Sequence, residues 1–427
     1  MFKTVKSYLK FYATHNFLLN KRIEKIHTCY NSSSYDLLKN DKFLRMLRNV
    51  YNSNSFYKKL YDNYGVNIHS IKSIDDINKL PVLKKSDIRE NPNSIKQGRG
   101  FLTKKGFTSG TTGSPLVVYR DYDSILNEHA YIWWYRINSG LNPKDRKISI
   151  RGDLNRDTIH YLDKASNTLF ISSFALNDSN INKIIPIIRE FSPKAALGYP
   201  SSLYTIASWL EENNEMLNIP LSFTSSESLL AFQEEIINKT LNTKLFDWYG
   251  NAERTIALYR EDSKYYEPLL YSINEYEKDR VITTSLINNY FPLIRYEVND
   301  VIDCTGKYDF NKKSIIIGGI DGRVEDYVLL PDGTRIGRLD VVFKGLNNVS
   351  MAQIIQKDKF TVDIRLVPLP TYSKNDELLL IKNLKSKLGN AINLNIVLVN
   401  KDQIEYSKSG KYKLVISKIN RIYSISS

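Results

Sequence analysis

Among its 427 residues the chain has two cysteines, Cys29 and Cys304, too far apart in sequence to write either a disulfide framework or a cysteine-based zinc site. That usage points to a reducing compartment. Long apolar runs are also missing. The longest candidates, such as Ser314-Ile-Ile-Ile-Gly-Gly-Ile320, are strand-sized, whereas a membrane-spanning helix needs roughly 20 apolar residues. Lysines occur near the start, but Lys6, Lys10 and His15 break the apolar positions, so no signal-peptide core forms. There is no internal repeat and no local low-complexity tract; the abundance of Asn, Lys, Ile and Tyr runs through the whole chain. A cytoplasmic protein is the expectation.

What is present is globular in proportion, with 42% hydrophobic and 25% charged residues. This excludes a disordered, collagen-like or coiled-coil chain, and the length suits two or three domains. The net charge is +14 and uneven: residues 1–60 hold 12 Lys+Arg against 3 Asp+Glu. Phe2, Val5, Leu9 and Tyr12 lie near helical spacing in that basic stretch. The simplest reading is a solvated helix whose aromatics pack on a core; peripheral contact with an anionic membrane is the alternative, and a nucleic-acid partner is not expected.

Residues 1–62 read as helices, with apolar residues three and four apart from Ser34 to Leu60. From about 100 to 300, strand candidates at Lys147–Arg151, Lys194–Leu197, Leu221–Thr224, Lys244–Trp248 and Val281–Leu286 alternate with helical periods. The helical stretches are Ser124–Asn138, Ile181–Glu190, Ser201–Glu212 and Leu229–Leu241. That alternation predicts α/β layers with substantial parallel sheet. Gly318-Gly319-Ile320-Asp321-Gly322 suggests a boundary or hinge. Beyond it, a strand at Phe360–Val367, a helix at Asp376–Ala391 and a strand at Leu394–Val399 make a compact α+β unit.

Five segments carry chemistry. Phe107-Thr-Ser-Gly-Thr-Thr-Gly-Ser-Pro115 is a tight turn rich in hydroxyls whose N–H groups can wrap phosphate oxygens. It is not the Walker pattern, since no Gly-Lys-Ser/Thr follows. Lys244-Leu-Phe-Asp-Trp-Tyr-Gly250, then Asn251-Ala252-Glu253, ends a strand where α/β proteins place ligands: Tyr249 can stack on a base and Glu253 can hold Mg²⁺. Leu293-Ile-Arg-Tyr-Glu-Val-Asn-Asp300 ends in a carboxylate able to accept from two ribose hydroxyls. Gly322-Arg-Val-Glu-Asp326 sets a cation and two acids at the proposed boundary, and Ser407-Lys-Ser-Gly-Lys-Tyr-Lys413 presents lysines on a glycine turn. Read alone, each is an ordinary turn or surface charge.

In this order and spacing the segments resemble the adenylate-forming superfamily of acyl-CoA synthetases, adenylation domains and luciferases, and within it the phenylacetate-CoA ligase-like branch with its capsule and O-antigen relatives. Leu80-Pro-Val-Leu-Lys-Lys-Ser-Asp-Ile-Arg89, Gly140-Leu-Asn-Pro-Lys-Asp-Arg146 and Gly198-Tyr-Pro-Ser-Ser-Leu203 add to the likeness, which runs from about residue 80 to the end. The resemblance implies an α/β fold: a large N-terminal layered domain with mixed sheets over 1–322, helical at 1–80, and a small mobile α+β domain over 323–427. It implies an ATP- and Mg²⁺-dependent acid ligase. A small-molecule carboxylate is activated as its acyl-adenylate and passed to CoA or to an amine, for surface polysaccharide or, alternatively, in arylacetate catabolism. A degenerate adenylate-binding scaffold is the remaining reading.

By the same resemblance Thr108, Ser109, Gly110, Thr111, Thr112 and Gly113 hold the ATP phosphates, and Ser225, Ser226 and Glu227 form the adenine segment. Tyr249 stacks on adenine beside Gly250 and Asn251, Asp300 binds ribose and Arg323 contacts the nucleotide. Glu253 ligates Mg²⁺, Glu325 is the hinge and Lys411 is the catalytic lysine. Departures are also visible: Ala252 stands where the family commonly has Thr, Asn299 where it has Gly or Arg, and Leu116 where a lysine often follows the loop proline. Tyr327-Val-Leu-Leu-Pro-Asp-Gly333 lacks the family's basic hinge strand. Aromatics at Tyr131, Trp133, Trp134 and Tyr135 either line the acid pocket or belong to the core.

Overall fold

In a computed structural model the chain is described at residue 8 and over residues 11–90, 92–107, 116–151, 158–176, 178–277, 280–298, 300–323, 328–331, 335–336, 339–343, 346, 348–406 and 412–419. Of the basic first segment, Tyr12 is exposed, while Phe2, Val5 and Leu9 lie outside the described residues.

Residues 11–14 are helical, and three longer helices follow: α1 (Phe17–Asn31), α2 (Tyr35–Ser53) and α3 (Ser55–Asn63). Asparagines punctuate them. Asn16 caps α1 by accepting from the Leu19 N–H, and Asn54, which ends α2, accepts from the N–H groups of Phe56 and Tyr57 to start α3. At the far end of α1, the Lys313 ammonium donates to the Tyr30 carbonyl (2.8 Å) and the Ser32 carbonyl (2.6 Å), covering oxygens that a helix C-terminus leaves unpaired. After α4 (Lys85–Glu90), strands β1 (Lys104–Phe107) and β2 (Val117–Arg120) form an antiparallel hairpin that brackets 108–115. Helix α5 (Tyr122–Asn138) follows, capped by Asp121.

The main sheet has ten strands in the order β14-β15-β10-β9-β8-β7-β6-β3-β5-β4. Its parallel centre is β5 (Thr168–Ser172), β3 (Lys147–Arg151), β6 (Ala195–Gly198), β7 (Leu221–Ser225) and β8 (Lys244–Gly250). These strands alternate with α6 (Asp178–Phe191), α7 (Pro200–Glu212) and α8 (Ala231–Leu241) along the sequence, as the alternation predicted. One edge is closed by antiparallel β4 (His160–Asp163); the other carries β9 (Ala257–Glu261), β10 (Lys264–Tyr266), β15 (Ser314–Arg323) and β14 (Asp300–Asp309), also antiparallel.

Both faces are covered. Ile184, Ile188, Leu203, Leu210 and Ile237, from α6 to α8, pack with Ile148, Ile171 and Leu245 on one face. Leu19 and Ile23 of α1 and Trp133 and Trp134 of α5 pack with Phe223, Phe246 and Tyr259 on the other. Each such side chain, once buried, contributes about 1.5–3 kcal/mol. Tyr131, Trp133, Trp134 and Tyr135 are therefore core residues.

Val281–Leu286 does hold a strand, β12 (Val281–Ser285), which lies in a separate antiparallel sheet between β11 (Ser272–Tyr276) and β13 (Tyr296–Val298), packed on the core beneath α2 and α3. Gly318 and Gly319 sit inside β15, just before the expected boundary, where a Cβ on Gly318 would fall 2.7 Å from the Asp303 carboxylate on the neighbouring β14.

After a short ribbon of β16 (Val328–Leu329) and β17 (Arg335–Ile336), a four-stranded sheet forms from β18 (Val349–Gln356), β19 (Thr361–Pro368), β20 (Asn393–Leu398) and β21 (Val415–Ser417), in the order β20-β19-β18-β21. Helix α9 (Lys374–Leu388) covers it, and Ile354, Val362, Ile364, Leu380 and Leu384 make its own core.

Candidate functional site

Parallel strands expose their carboxyl ends along one edge, and several of the expected residues stand there. Gly198 ends β6, Ser225 ends β7 and Tyr249-Gly250 ends β8, in register through Gly198 opposite Thr224 and Ser225 opposite Trp248. Ser226, just beyond β7, holds φ +72°, a left-handed conformation uncommon for serine. Beneath this edge the fully buried Asp247 accepts from the Thr224 hydroxyl and from the Tyr265 hydroxyl, each at 2.6 Å. Burial raises its pKa above the usual carboxylate range, and those two hydrogen bonds oppose the shift.

Two pairs of predicted and unpredicted residues meet at the edge. The Tyr249 hydroxyl donates to Asp300 Oδ2 at 2.6 Å, so the expected base platform and the expected ribose carboxylate are tied together across 51 positions of sequence. The Tyr296 hydroxyl donates to Glu253 Oε1 at 2.9 Å. Tyr296 stands in the same segment as Asp300, and sequence reasoning gave it no role.

The turn that presents Glu253 is held from four sides. Asn251 spends its side chain on it, accepting from the Thr255 N–H (2.9 Å) and donating to the Thr255 hydroxyl (2.7 Å). The Ser285 hydroxyl donates to the Arg254 carbonyl at 3.0 Å and the Thr283 hydroxyl to the Thr255 carbonyl, so β12 anchors the far side. Arg254 itself adopts φ +58°. From below, the Arg120 guanidinium donates to the Ala252 carbonyl. Arg120 reaches that carbonyl by lying across β1, where a Cβ on Gly106 would come within 2.7 Å of it. Burial, reinforced by the neighbouring Arg254, pushes the Arg120 pKa down to about 10, against the pull of Glu128 and Glu253. Glu128 in turn accepts from the Tyr271 hydroxyl. Arg120 was missed by sequence reasoning because it carries no motif; it is a charge at the end of β2, and the carbonyl it holds lies 132 positions later. Leu116, in the place of the family's lysine, is buried in the core beneath the hairpin.

Glu227 spends its carboxylate on two backbone amides. Its Oε2 accepts from the Ser201 N–H at 3.1 Å, in the first turn of α7, and its Oε1 accepts from the Tyr412 N–H at 2.9 Å. Tyr412 pairs with Tyr406 in an isolated antiparallel bridge. The buried Gln353 amide donates to the carbonyls of Glu405 (2.8 Å) and Lys413 (2.9 Å), and the Tyr412 hydroxyl donates to the Ala352 carbonyl.

Thr108, Ser109, Gly110, Thr111, Thr112, Gly113, Glu325 and Lys411 lie outside the described residues, as does the Arg323 side chain. Among the described residues no group of three or more His, Cys, Asp or Glu could hold a metal ion, and no helix is long and apolar enough to cross a membrane.

A family model described as the CapK C-terminal domain matches residues 328–418. Protein CapK of Staphylococcus aureus is 24% identical over 404 residues, covering 90% of this chain and 89% of that protein. Indoleacetate–lysine synthetase of Pseudomonas savastanoi is 27% identical over 220 residues, covering 48% of this chain and 54% of that enzyme. Among solved structures, 2-hydroxyisobutyryl-CoA ligase in its postadenylation state, bound to an acyl-AMP, overlaps with a TM-score of 0.69 at 16% identity, over 90% of both chains. The same ligase in its thioesterification state, over the same share of both chains, gives 0.53 at 17% identity. By sequence the chain is thus similar to CapK and to phenylacetate-CoA ligase of Escherichia coli, and by fold to 2-hydroxyisobutyryl-CoA ligase.

Proposed function

We propose that this relative of the adenylate-forming superfamily is an AMP-forming acid ligase. A carboxylate oxygen attacks the α-phosphorus of ATP, the bond to the bridging oxygen breaks and pyrophosphate leaves; an acceptor thiol or amine then attacks the acyl carbon, and the bond to AMP breaks. The observation that carries this reading is the tie between Tyr249 and Asp300 beside the Glu253–Tyr296 pair, at the carboxyl edge of the parallel strands. One aromatic ring and one carboxylate locked together match what an adenosine presents, a flat base and a diol.

Mg²⁺ fits this donor set. The ion commonly takes one or two protein carboxylates and completes its shell with water and phosphate oxygens, so Glu253 on a rigid turn suffices without a cage of acids. Bound there, it would neutralise charge that moves onto pyrophosphate. Residues 108–113 would wrap the phosphates, Arg323 would contact the nucleotide, and Lys411 would bridge phosphate and carboxylate during adenylation only. We divide the chain at 322/323, with Glu325 as the hinge that lets the C-terminal unit withdraw Lys411 before the acceptor enters.

For the acceptor, the likeness to indoleacetate–lysine synthetase supports an amine, and we assign the transfer to surface polysaccharide modification. CoA, which 2-hydroxyisobutyryl-CoA ligase binds, is the competing acceptor. The test is Mg²⁺-dependent pyrophosphate release on a panel of carboxylates, with CoA, amino sugars and amino acids then offered in turn. Lys411→Ala should lose roughly two to four orders of magnitude in pyrophosphate release yet still transfer acyl from a synthetic adenylate. Wild-type chain that releases no pyrophosphate with any acid, while binding ATP, would replace the ligase reading with that of a nucleotide-binding scaffold.

A further inference from the structure

We infer that Glu227 is a positioning residue that latches the C-terminal unit in the arrangement used for adenylation. This rests on the ligase reading above, but its observations are separate from those at Tyr249, Glu253 and Asp300. The two oxygens of one carboxylate hold two backbone amides from distant parts of the chain: Oε2 holds Ser201, and Oε1 holds Tyr412.

Each half of that bridge has a physical reason. Ser201 lies in the first turn of the 13-residue α7, after Pro200, where backbone N–H groups have no partner within the helix and the helix end favours a negative charge. This anchors Glu227 to the large sheet. On the other side Tyr412 is a firm handle, since the Tyr412 hydroxyl is tied to Ala352 and Gln353 holds the carbonyls of Glu405 and of Lys413, the next residue. A pull on the Tyr412 amide is therefore a pull on the whole sheet of β18 to β21. An ion pair that also crosses from this unit to the helices of the large sheet, Lys401 to Glu212 at 3.4 Å, joins two partly exposed side chains and holds little.

Glu227 is half-buried, so water can replace Tyr412 when the unit leaves, and the latch is reversible. The fold overlap points the same way. This chain superposes on the postadenylation state of 2-hydroxyisobutyryl-CoA ligase far better than on its thioesterification state, 0.69 against 0.53. The residue before Tyr412 in sequence is Lys411. Glu227 would thus set how long the unit that carries that lysine stays docked.

The experiment uses the full chain with cysteines introduced at the exposed Asn214 and Asn390 and labelled with a donor–acceptor dye pair, Cys304 being replaced by serine. Transfer efficiency is read without ligand and with Mg²⁺-ATP, for wild type, Glu227→Gln and Glu227→Ala. The amide oxygen of glutamine still accepts from an N–H, so a graded loss of the docked population, wild type above Gln above Ala, is expected. Pyrophosphate release with the best acid of the panel should fall about 10- to 100-fold in Glu227→Ala, and at least tenfold more than acyl transfer from the preformed adenylate. Thermal melting confirms that each variant is folded; if Ala is not, the Gln variant carries the comparison. An unchanged docked population in a folded variant overturns the latch. So does an equal loss of both half-reactions, which marks a nucleotide contact. A changed docked population in a chain that activates no acid upholds the latch and overturns the ligase reading alone.

Discussion

Replacing Arg295 by methionine should remove about 3 kcal/mol of stability without touching the chemistry of the site. Arg295 is 8% exposed and serves three partners at once. Its Nε and Nη2 donate to the two oxygens of Glu275 at 3.0 and 2.8 Å, and its Nη1 donates to the carbonyls of Asn78 (3.2 Å) and Leu80. Breaking a buried pair from one side costs about 3–5 kcal/mol, because the remaining charge and carbonyls lose their partners. Glu275 keeps 23% of its side chain exposed, so water can reach it and the low end applies. The φ of +50° strains methionine no more than arginine and drops out of the difference. Adding Glu275→Leu should return about 2 kcal/mol by deleting the stranded carboxylate. Urea unfolding should be followed by both tryptophan fluorescence and circular dichroism, since a chain with two sheets need not unfold in one step. A cost under about 1 kcal/mol for Arg295→Met, or strict additivity in the double variant, would refute the assignment of Arg295 as a buried tie between the 78–80 segment and β11.

Glu253→Gln should lower Mg²⁺-dependent pyrophosphate release by about 100-fold or more with the fold intact, and Tyr296→Phe by about tenfold, since it frees the carboxylate without removing it. Near wild-type rates in Glu253→Gln would dismiss it as the metal ligand. His15, stacked on Phe11 and set edge-on to Trp133, has its pKa lowered from 6.5 to about 4, chiefly by burial. Because the folded value lies below the unfolded one, this contribution to stability is whole above pH 6.5 and is lost as pH falls from there toward 4. Discounted for partial exposure, it amounts to about 1–2 kcal/mol. His15→Phe should flatten the urea midpoint between pH 4 and 7; an unchanged slope would mean that His15 is not the group responsible.

The parallel strands were readable because a strand covered on both faces is a short continuous apolar run, and β3, β7 and β8 start at the positions read from sequence. Helix ends were less so. α9 begins at Lys374 behind a capping box of Ser373 and Asp376, and stops at Leu388 because Gly389 turns to φ +74°, three residues before the expected end. In the site, Tyr249, Glu253 and Asp300 came from motif order, and the structure brings Tyr249 and Asp300 into contact. Their supports did not, for a physical reason: Arg120, Thr283, Ser285 and Tyr296 reach the Glu253 turn from other strands, and only folding sets that proximity. Glu227 was read by its neighbours in sequence, while its partners lie 26 and 185 positions away.

The ammonium of Lys313 on the last carbonyls of α1 also sets a timetable. During synthesis the 17–31 segment leaves the ribosome first, but the lysine that covers its end follows 283 positions after Tyr30, and Leu269, whose N–H meets the Tyr30 hydroxyl, follows after 239. At about 5–20 residues per second, α1 waits roughly 15 to 55 s for Lys313. Through that interval its apolar face, Leu19, Ile23 and Ile26, lacks part of its final cover. The nascent chain thus carries a basic, half-covered helix for most of its own translation, and a substitution on that face would act on yield in the cell before it acted on the finished protein.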